Sequence, residues 1–583
     1  MGAAAGTADP FDTTSIRRTV LDAWRASPTR FREDANAEED LRLGGYADRL
    51  MVELAANAAD AALAAGGPGT LRLSLVDLGG SADSADSVDP QGHRELRAAN
   101  TGAALDAAGV SALASLRASA KVAADTVGRF GVGFAAVLAV SDEPAVLSAS
   151  GGVRFSLAGT LAEVGEIPEL GVVLADRAGT APVLRLPWPA QPGQDTVPPG
   201  FTTEVRLPLR SDVDAEALLA DARAKAPDLL LALRGLRRLE IGTESWSRET
   251  DGSGAVTLHG PSGDTRWLLH RGHGEFSGAA LRGLGVEARG RSGFWTCWAV
   301  PVDTAGAPVL VGNDVLHAPT PTDERLSLPA RLLATLPVEP TRRRILRGPA
   351  VDAVLAAAAA DYPGLLFSID PAQRLRLVPL PGFPLSEVDA VLRDGVLAAL
   401  TRAAWLPSAA GGDTAPRDAV VLEGASAELV ALLADVLPGL LAAELAGPSS
   451  DRALAALGVR RIPLAELVDV LAGVARPPEW WRELYAALVP LADTDRGATE
   501  ELGGLPVPLA DGRTVTGPRT VLLPSAELSD VLSTLDTIDI VGLRIAHPAA
   551  AHPLLRRLGA TEGGAVDLLD VPALRDAVEH SVA

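Results

Sequence analysis

The stretch Gly128-Arg129-Phe130-Gly131-Val132-Gly133-Phe134 places three glycines within six residues, just ahead of the apolar run Ala135-Ala-Val-Leu138. Glycines at a helix start let backbone N–H groups come close to an anion, and the helix dipole adds to the attraction. This is phosphate-binding chemistry, although glycine at such positions also serves close packing. Lys121 lies a few residues upstream, in Ser119-Ala-Lys121, and is one of only two lysines among 52 basic residues. A lysine is a compact phosphate partner. Two further elements carry polar groups. Glu53, Asn57 and Asp60 interrupt the apolar run Met51–Leu63 at i, i+4 and i+7, which puts them on one helix face. Such a stripe either faces water on an amphipathic helix or lines a polar cavity. Asn100-Thr101-Gly102 ends a strand-like segment as a turn.

The elements that must position these residues read as follows. Residues 14–26 and 46–65 carry apolar residues at helical spacing, and the second segment stops at Gly66-Gly-Pro-Gly69. Residues 70–78 alternate as a strand, and 94–99 follow as another. Strand-like runs recur at 144–149, 153–157, 181–186 and 203–209, and 212–234 reads as a helix stopped by Gly235. The expected fold class is α/β, with helices on one face of a mixed sheet.

In this order and spacing the three elements resemble the superfamily of gyrase, heat-shock chaperone, histidine-kinase and mismatch-repair ATPases. Glu53-x-x-x-Asn57 matches the first box, and Gly128-Arg-Phe-Gly-Val-Gly-Phe134 matches the chaperone-type glycine box. The stretch from Ser119-Ala-Lys121 to Asp142-Glu-Pro-Ala-Val-Leu-Ser148 is most similar to sacsin-like proteins, a branch related to the ninety-kilodalton heat-shock chaperones. The resemblance implies an N-terminal two-layer α/β sandwich of the Bergerat type over 1–210, then an α/β middle domain of transducer type over 211–375. It implies ATP and Mg²⁺ as ligands. Glu53 would be the general base and Asn57 the Mg²⁺ ligand. Asn100 and Gly102 would hold adenine, with Thr203 closing that pocket from a strand. Lys121 and the backbone of Gly128, Arg129, Phe130, Gly131, Val132, Gly133 and Phe134 would hold the phosphates. Residues 103–127 would form a lid. Asn100 replaces the family's adenine-reading aspartate, which removes a charge-assisted bond. Ala104 replaces the second glycine of that box, which stiffens the lid hinge.

The related chaperones bring an arginine of the middle domain to the γ-phosphate. Arg325, Arg342, Arg343, Arg344 and Arg347 are the candidates here, against the alternative that this basic run pairs with local acids. The implied function is a chaperone-type ATPase whose lid and domain closure act on protein clients. A non-hydrolysing, nucleotide-gated scaffold that binds protein partners through its repeats is the competing reading. A homodimer is a further assembly this reading allows, and a DNA-linked ATPase of the mismatch-repair kind is a third reading.

Composition narrows these choices. The 583 residues carry 74 acidic and 52 basic side chains, a net charge of −22. That argues against general nucleic-acid affinity and against docking on an anionic membrane, while leaving room for one local basic groove. The excess of arginine over lysine points to a GC-rich, bacterial genome. Cys297 is the single cysteine, so no intrachain disulfide or cysteine–zinc cluster exists, and a reducing cytoplasmic location fits. The eight histidines show no metal-binding spacing. Trp480-Trp481 reads as a core or interface anchor.

From about residue 376 the chain repeats itself. Leu406-Pro407, Pro416-Arg417, Leu457-Gly458 and Asp469-Val470 recur as Leu505-Pro506, Pro518-Arg519, Leu558-Gly559 and Asp570-Val571. These matches set modules at 376–504 and 505–583, each read as a small α/β unit. The second is incomplete, which predicts a longer natural chain.

Overall fold

The structure, a computed structural model, describes residues 9–43, 49–78, 94–115, 133–190, 196–282, 292–339, 343–494, 496–525 and 544–563. It is a mixed α/β protein that divides into two compact units, residues 1–368 with 384–393, and residues 369–383 with 394–583.

The first unit opens with three helices: α1 (Thr13–Ala26), α2 (Pro28–Leu43) and α3 (Leu50–Ala64). Strands β1 (Gly69–Asp77) and β2 (Arg94–Asn100) follow, then helix α4 (Ala107–Leu113) and a 3-10 helix at Gly133–Ala139. Next come β3 (Ala145–Ser148), β4 (Gly151–Arg154), β5 (Trp188–Pro189) and β6 (Thr203–Pro208). Helix α5 (Ala215–Ala232) leads into β7 (Leu236–Ile241), β8 (Glu244–Thr250), β9 (Val256–His259), β10 (Thr265–Glu275) and β11 (Gly293–Val302). Strands β12 (Asp314–His317), β13 (Pro321–Leu326) and β14 (Arg331–Ala334) complete a single sheet. Its order is β13-β12-β14-β11-β10-β9-β8-β7-β1-β2-β6-β3-β4-β5. Parallel pairing of β1 with β7 carries the sheet across the residues that follow 210.

Register shows why one face of this sheet is covered. Leu73, Ala98, Val205 and Val146 stand in one row across β1, β2, β6 and β3. Partnered residues of antiparallel strands share a face, so the row is apolar throughout. Leu73, Ala98 and Val146 are buried in one core with Leu54, Ala55 and Ala58 of α3. The neighbouring rows, on the opposite face, hold Arg72, Arg97, Glu204 and Arg206. There Glu204 pairs with Arg206 at 2.7 Å and Glu95 with Arg97 at 2.6 Å.

Residues 181–186, expected as a strand, form none. Glu38 of α2 accepts hydrogen bonds from the backbone N–H of Val183 (2.5 Å) and Leu184 (3.1 Å). Those donors are therefore spent on a carboxylate instead of a ladder.

The second unit displays the repeat as structure. In the first copy β15 (Leu406–Pro407) and β16 (Asp413–Thr414) form a hairpin, and Pro416–Asp418 makes a 3-10 turn. Then β17 (Val420–Val421) pairs in parallel with β18 (Arg460–Arg461). The second copy answers element for element. It has the hairpin β19 (Pro506–Pro508) with β20 (Thr514–Thr516), the turn Pro518–Thr520, and β21 (Leu522–Pro524) parallel to β22 (Thr561–Gly563). Even the isolated bridges recur, Val420 to Leu440 and Leu522 to Ile545. Asp570-Val571 lies outside the described residues. Trp481 is fully buried and meets Trp480 edge-on at 5.2 Å, so this pair anchors the core of the unit.

Candidate functional site

Helix α3 forms because Leu, Met and Ala dominate Leu50–Ala64, with nothing to break the helix before Gly66. It is buried almost all round, which leaves its few polar residues inside the protein. Glu53 and Asp60 are both buried, and Asn57 is half-buried between them. By the 1.5 Å rise per residue, Asn57 stands about 6 Å along the axis from Glu53, and Ala61 about 6 Å further.

Each end of that span is met by a glycine. Gly133, at the start of the 3-10 helix, lies directly against Glu53, and a Cβ at Gly133 would overlap the Glu53 carboxylate. At the other end Gly102 has φ +126°, and a Cβ there would sit 2.6 Å from the Ala61 carbonyl oxygen. The next residue, Ala103, donates its N–H to that same carbonyl at 2.9 Å. The Asn-Thr-Gly turn is therefore docked on the helix by backbone contact, which explains why it needs glycine. Thr101 fixes the turn from the other side: its Oγ1 accepts from Thr70 N–H at 2.9 Å, and its own N–H donates to the Thr70 carbonyl at 3.1 Å.

Asn100 and Thr203 stand in register on neighbouring strands, with Leu71 and Ser148 completing the row. Asn100 is buried. Its amide donates to the Thr101 carbonyl at 3.0 Å, and its backbone carbonyl accepts from the N–H (3.0 Å) and hydroxyl (3.1 Å) of Thr202. One N–H of the amide is thus occupied locally. Ser148 Oγ accepts from Leu105 N–H at 2.9 Å, which ties the start of the segment after Gly102 to the same row. The apolar row that builds the core ends in this polar row, beside the helix end that holds Gly102.

Of the residues singled out from sequence, Glu53, Asn57, Asn100, Gly102, Gly133, Phe134 and Thr203 are gathered around α3 and the strand ends next to it. Phe134 is buried and meets Phe155 at 6.2 Å between ring centres, so its ring belongs to the core. Lys121, Gly128, Arg129, Phe130, Gly131, Val132 and Arg342 lie outside the described residues.

Two of the candidate arginines border a groove of about 530 Å³. Arg344 and Arg347 line it together with Asp323, Glu324, Glu339 and Glu387. Arg347 pairs with Glu387. Arg325 is exposed on β13, and its carbonyl accepts from Ser386. Arg343 is half-buried, and its carbonyl accepts from Asp323 N–H at 2.8 Å. Arg49, which belongs to none of the three sequence motifs, connects β13 to helix α3. It sits one residue ahead of α3, is buried, and donates to the Pro321 carbonyl at 2.8 Å. Its i, i+4 spacing to Glu53 was the available signal.

Among the described residues no group of three or more His, Cys, Asp or Glu could hold a metal ion, and no helix is long and apolar enough to cross a membrane. No family model matches the chain, and no curated protein matches it.

Proposed function

We propose that the first unit binds ATP with Mg²⁺ in a Bergerat-type sandwich, and that the chain is a sacsin-like, chaperone-type ATPase of the cytoplasm acting on protein clients. The observation that carries this reading is the placement of α3: Glu53 against Gly133 at one end, the Gly102 turn against Ala61 at the other, and Asn57 midway. A nucleotide lying along the helix would set its phosphates at the Glu53 end and its base at the row of Asn100 and Thr203.

The donor set fits Mg²⁺, because the Asn57 amide oxygen is a hard ligand and this ion takes most of its others from phosphates and water. Bound there, it would neutralise phosphate charge. Glu53, buried beside Gly133, would take the proton of the attacking water. Asn100 would read adenine with its amide oxygen and its second N–H. The scaffold reading keeps the same binding residues without hydrolysis. It is favoured by the repeat copies, which share a backbone plan of hairpin, turn and parallel strand pair.

Calorimetric titration of ATP into the parent and Asn57→Ala, with Mg²⁺ and with EDTA, tests the site. The variant should lose Mg²⁺-dependent affinity and keep the metal-free affinity. Equal loss under both conditions would reduce Asn57 to a packing role.

A further inference from the structure

A second cluster of polar groups lies on the other half of the sheet. Register pairs Arg271 on β10 with Cys297 on β11, and His273 with Trp295; Leu333 on β14 stands opposite Cys297. These five side chains share one face. The end of α5, with Leu231 and Ala232, and the Arg234 that follows it line the same narrow recess, as does Thr296. Arg248 on β8 faces the same way, in register with Leu258 of β9 and through it with Thr265, six residues before Arg271 on β10. Burial and the neighbouring guanidinium groups of Arg271 and Arg234 push its pKa down to about 10. Its Nε is buried and makes no hydrogen bond.

Among the described residues no carboxylate pairs with Arg234, Arg248 or Arg271. The contrast with Arg331 of the same sheet is direct: that guanidinium holds Asp228 at 2.5 Å and Asp314 at 2.7 Å. Cations gathered and partly buried without a counter-charge oppose folding. A chain with 74 acidic residues has ample means to neutralise them, and among the described residues none does so.

We propose that Arg234, Arg248 and Arg271 form a binding site for a phosphate group, free or carried as an ester. A single carboxylate would offset one of three charges, whereas phosphate carries more charge in a compact tetrahedron that guanidinium forks match. The recess holds about 10 Å³, room for one water molecule. The ligand therefore sits over the mouth, where Arg234 is exposed and Arg271 half-exposed, with the buried Cys297 thiol below. The site uses none of the α3 residues and stands independently of the ATPase reading.

Calorimetric titration of inorganic phosphate and of glycerol 3-phosphate into the full chain tests it, with Arg234→Gln, Arg271→Gln and, as a control, Arg238→Gln, which removes an exposed arginine paired with Glu240. Binding to the parent should weaken by about tenfold or more in Arg234→Gln and Arg271→Gln and stay unchanged in Arg238→Gln. Tighter inorganic phosphate binding would assign a free ligand, and tighter glycerol 3-phosphate binding an ester. The single cysteine gives a second readout: the better ligand should slow alkylation of Cys297 by iodoacetamide in the parent but not in Arg271→Gln. Arg248→Met should lose the ligand yet raise the thermal midpoint of the ligand-free chain, since it removes an unneutralised cation. Absence of binding at millimolar ligand, unchanged binding in Arg234→Gln and Arg271→Gln, or a lowered midpoint in Arg248→Met would each overturn the proposal.

Discussion

The surroundings of α3 and the two repeat copies both depend on glycine, but for different physical reasons. Around α3, Gly102 and Gly133 let backbone and carboxylate approach where any side chain would intrude. In the repeats Gly458 and Gly559 follow the helices Asp451–Ala456 and Pro553–Arg557 with φ of +70° and +110°, and Gly458 faces open space. The first pair serves contact and the second the helix stop, with Gly559 also lying against the Arg519 side chain. Polar side chains divide in the same way. The site buries Glu53, Asp60 and Asn100. The parallel strand that closes each repeat copy carries Arg460-Arg461 in one and Thr561-Glu562 in the other. The repeats thus keep a backbone plan while the charges on this strand change, whereas the surroundings of α3 keep polar groups inside the core.

This contrast is open to mutation. The largest effect is expected for Gly102→Ala, which combines an unfavourable φ with a clash against the Ala61 backbone. It should cost about 3–5 kcal/mol in urea denaturation. Gly133→Ala meets only the end of the Glu53 side chain, so it should displace that carboxylate and impair nucleotide hydrolysis more than stability. Next in size is Asn100→Leu. With the adenine amino group left unpaired, ATP affinity should fall by about 1–3 kcal/mol in calorimetry, while Asn100→Asp should alter affinity without abolishing it. If Asn100→Leu binds ATP as the parent does, the residue is a plain turn former.

A comparable effect is expected from Glu38, whose pKa burial raises from 4.5 to about 7 against the opposing pull of the Val183 and Leu184 N–H groups. Between these values the folded chain keeps a proton that the unfolded chain releases, so the contribution of Glu38 to stability falls as pH rises from about 4.5 to 7. Glu38→Gln keeps an acceptor without the charge. It should be more stable than the parent above pH 7, by about 1–3 kcal/mol, and similar to it near pH 4. Thermal midpoints across this range check it. The smallest change is Gly458→Ala, where only the left-handed φ is strained: about 1 kcal/mol in denaturation.

Periodicity made α1, α3, β1, β2 and β6 legible to within a few residues, because their apolar spacing is the spacing of the core they build. The repeat was legible because the recurring dipeptides mark turns and strand starts, which both copies need. Residues 181–186 misled: their apolar side chains suit a strand, but a carboxylate 145 positions away in sequence takes the Val183 N–H. The arginine recess was invisible for the same reason, since Arg248 and Arg271 come to one face only through the pairing of β8, β9 and β10, and Arg234 joins them from the end of α5. Arg49 shows the intermediate case: it stands four residues before Glu53, but no local pattern announces its contact with Pro321.

The proposed role of Glu53, held against Gly133, is that of a general base beside a bound nucleotide. Steady-state ATP hydrolysis with Mg²⁺, measured for the parent and Glu53→Ala together with ATP titration of both, decides this. The parent should hydrolyse ATP, Glu53→Ala should be slower by at least about 10²-fold, and both should bind ATP. Hydrolysis by Glu53→Ala at the parent rate would remove Glu53 from that role.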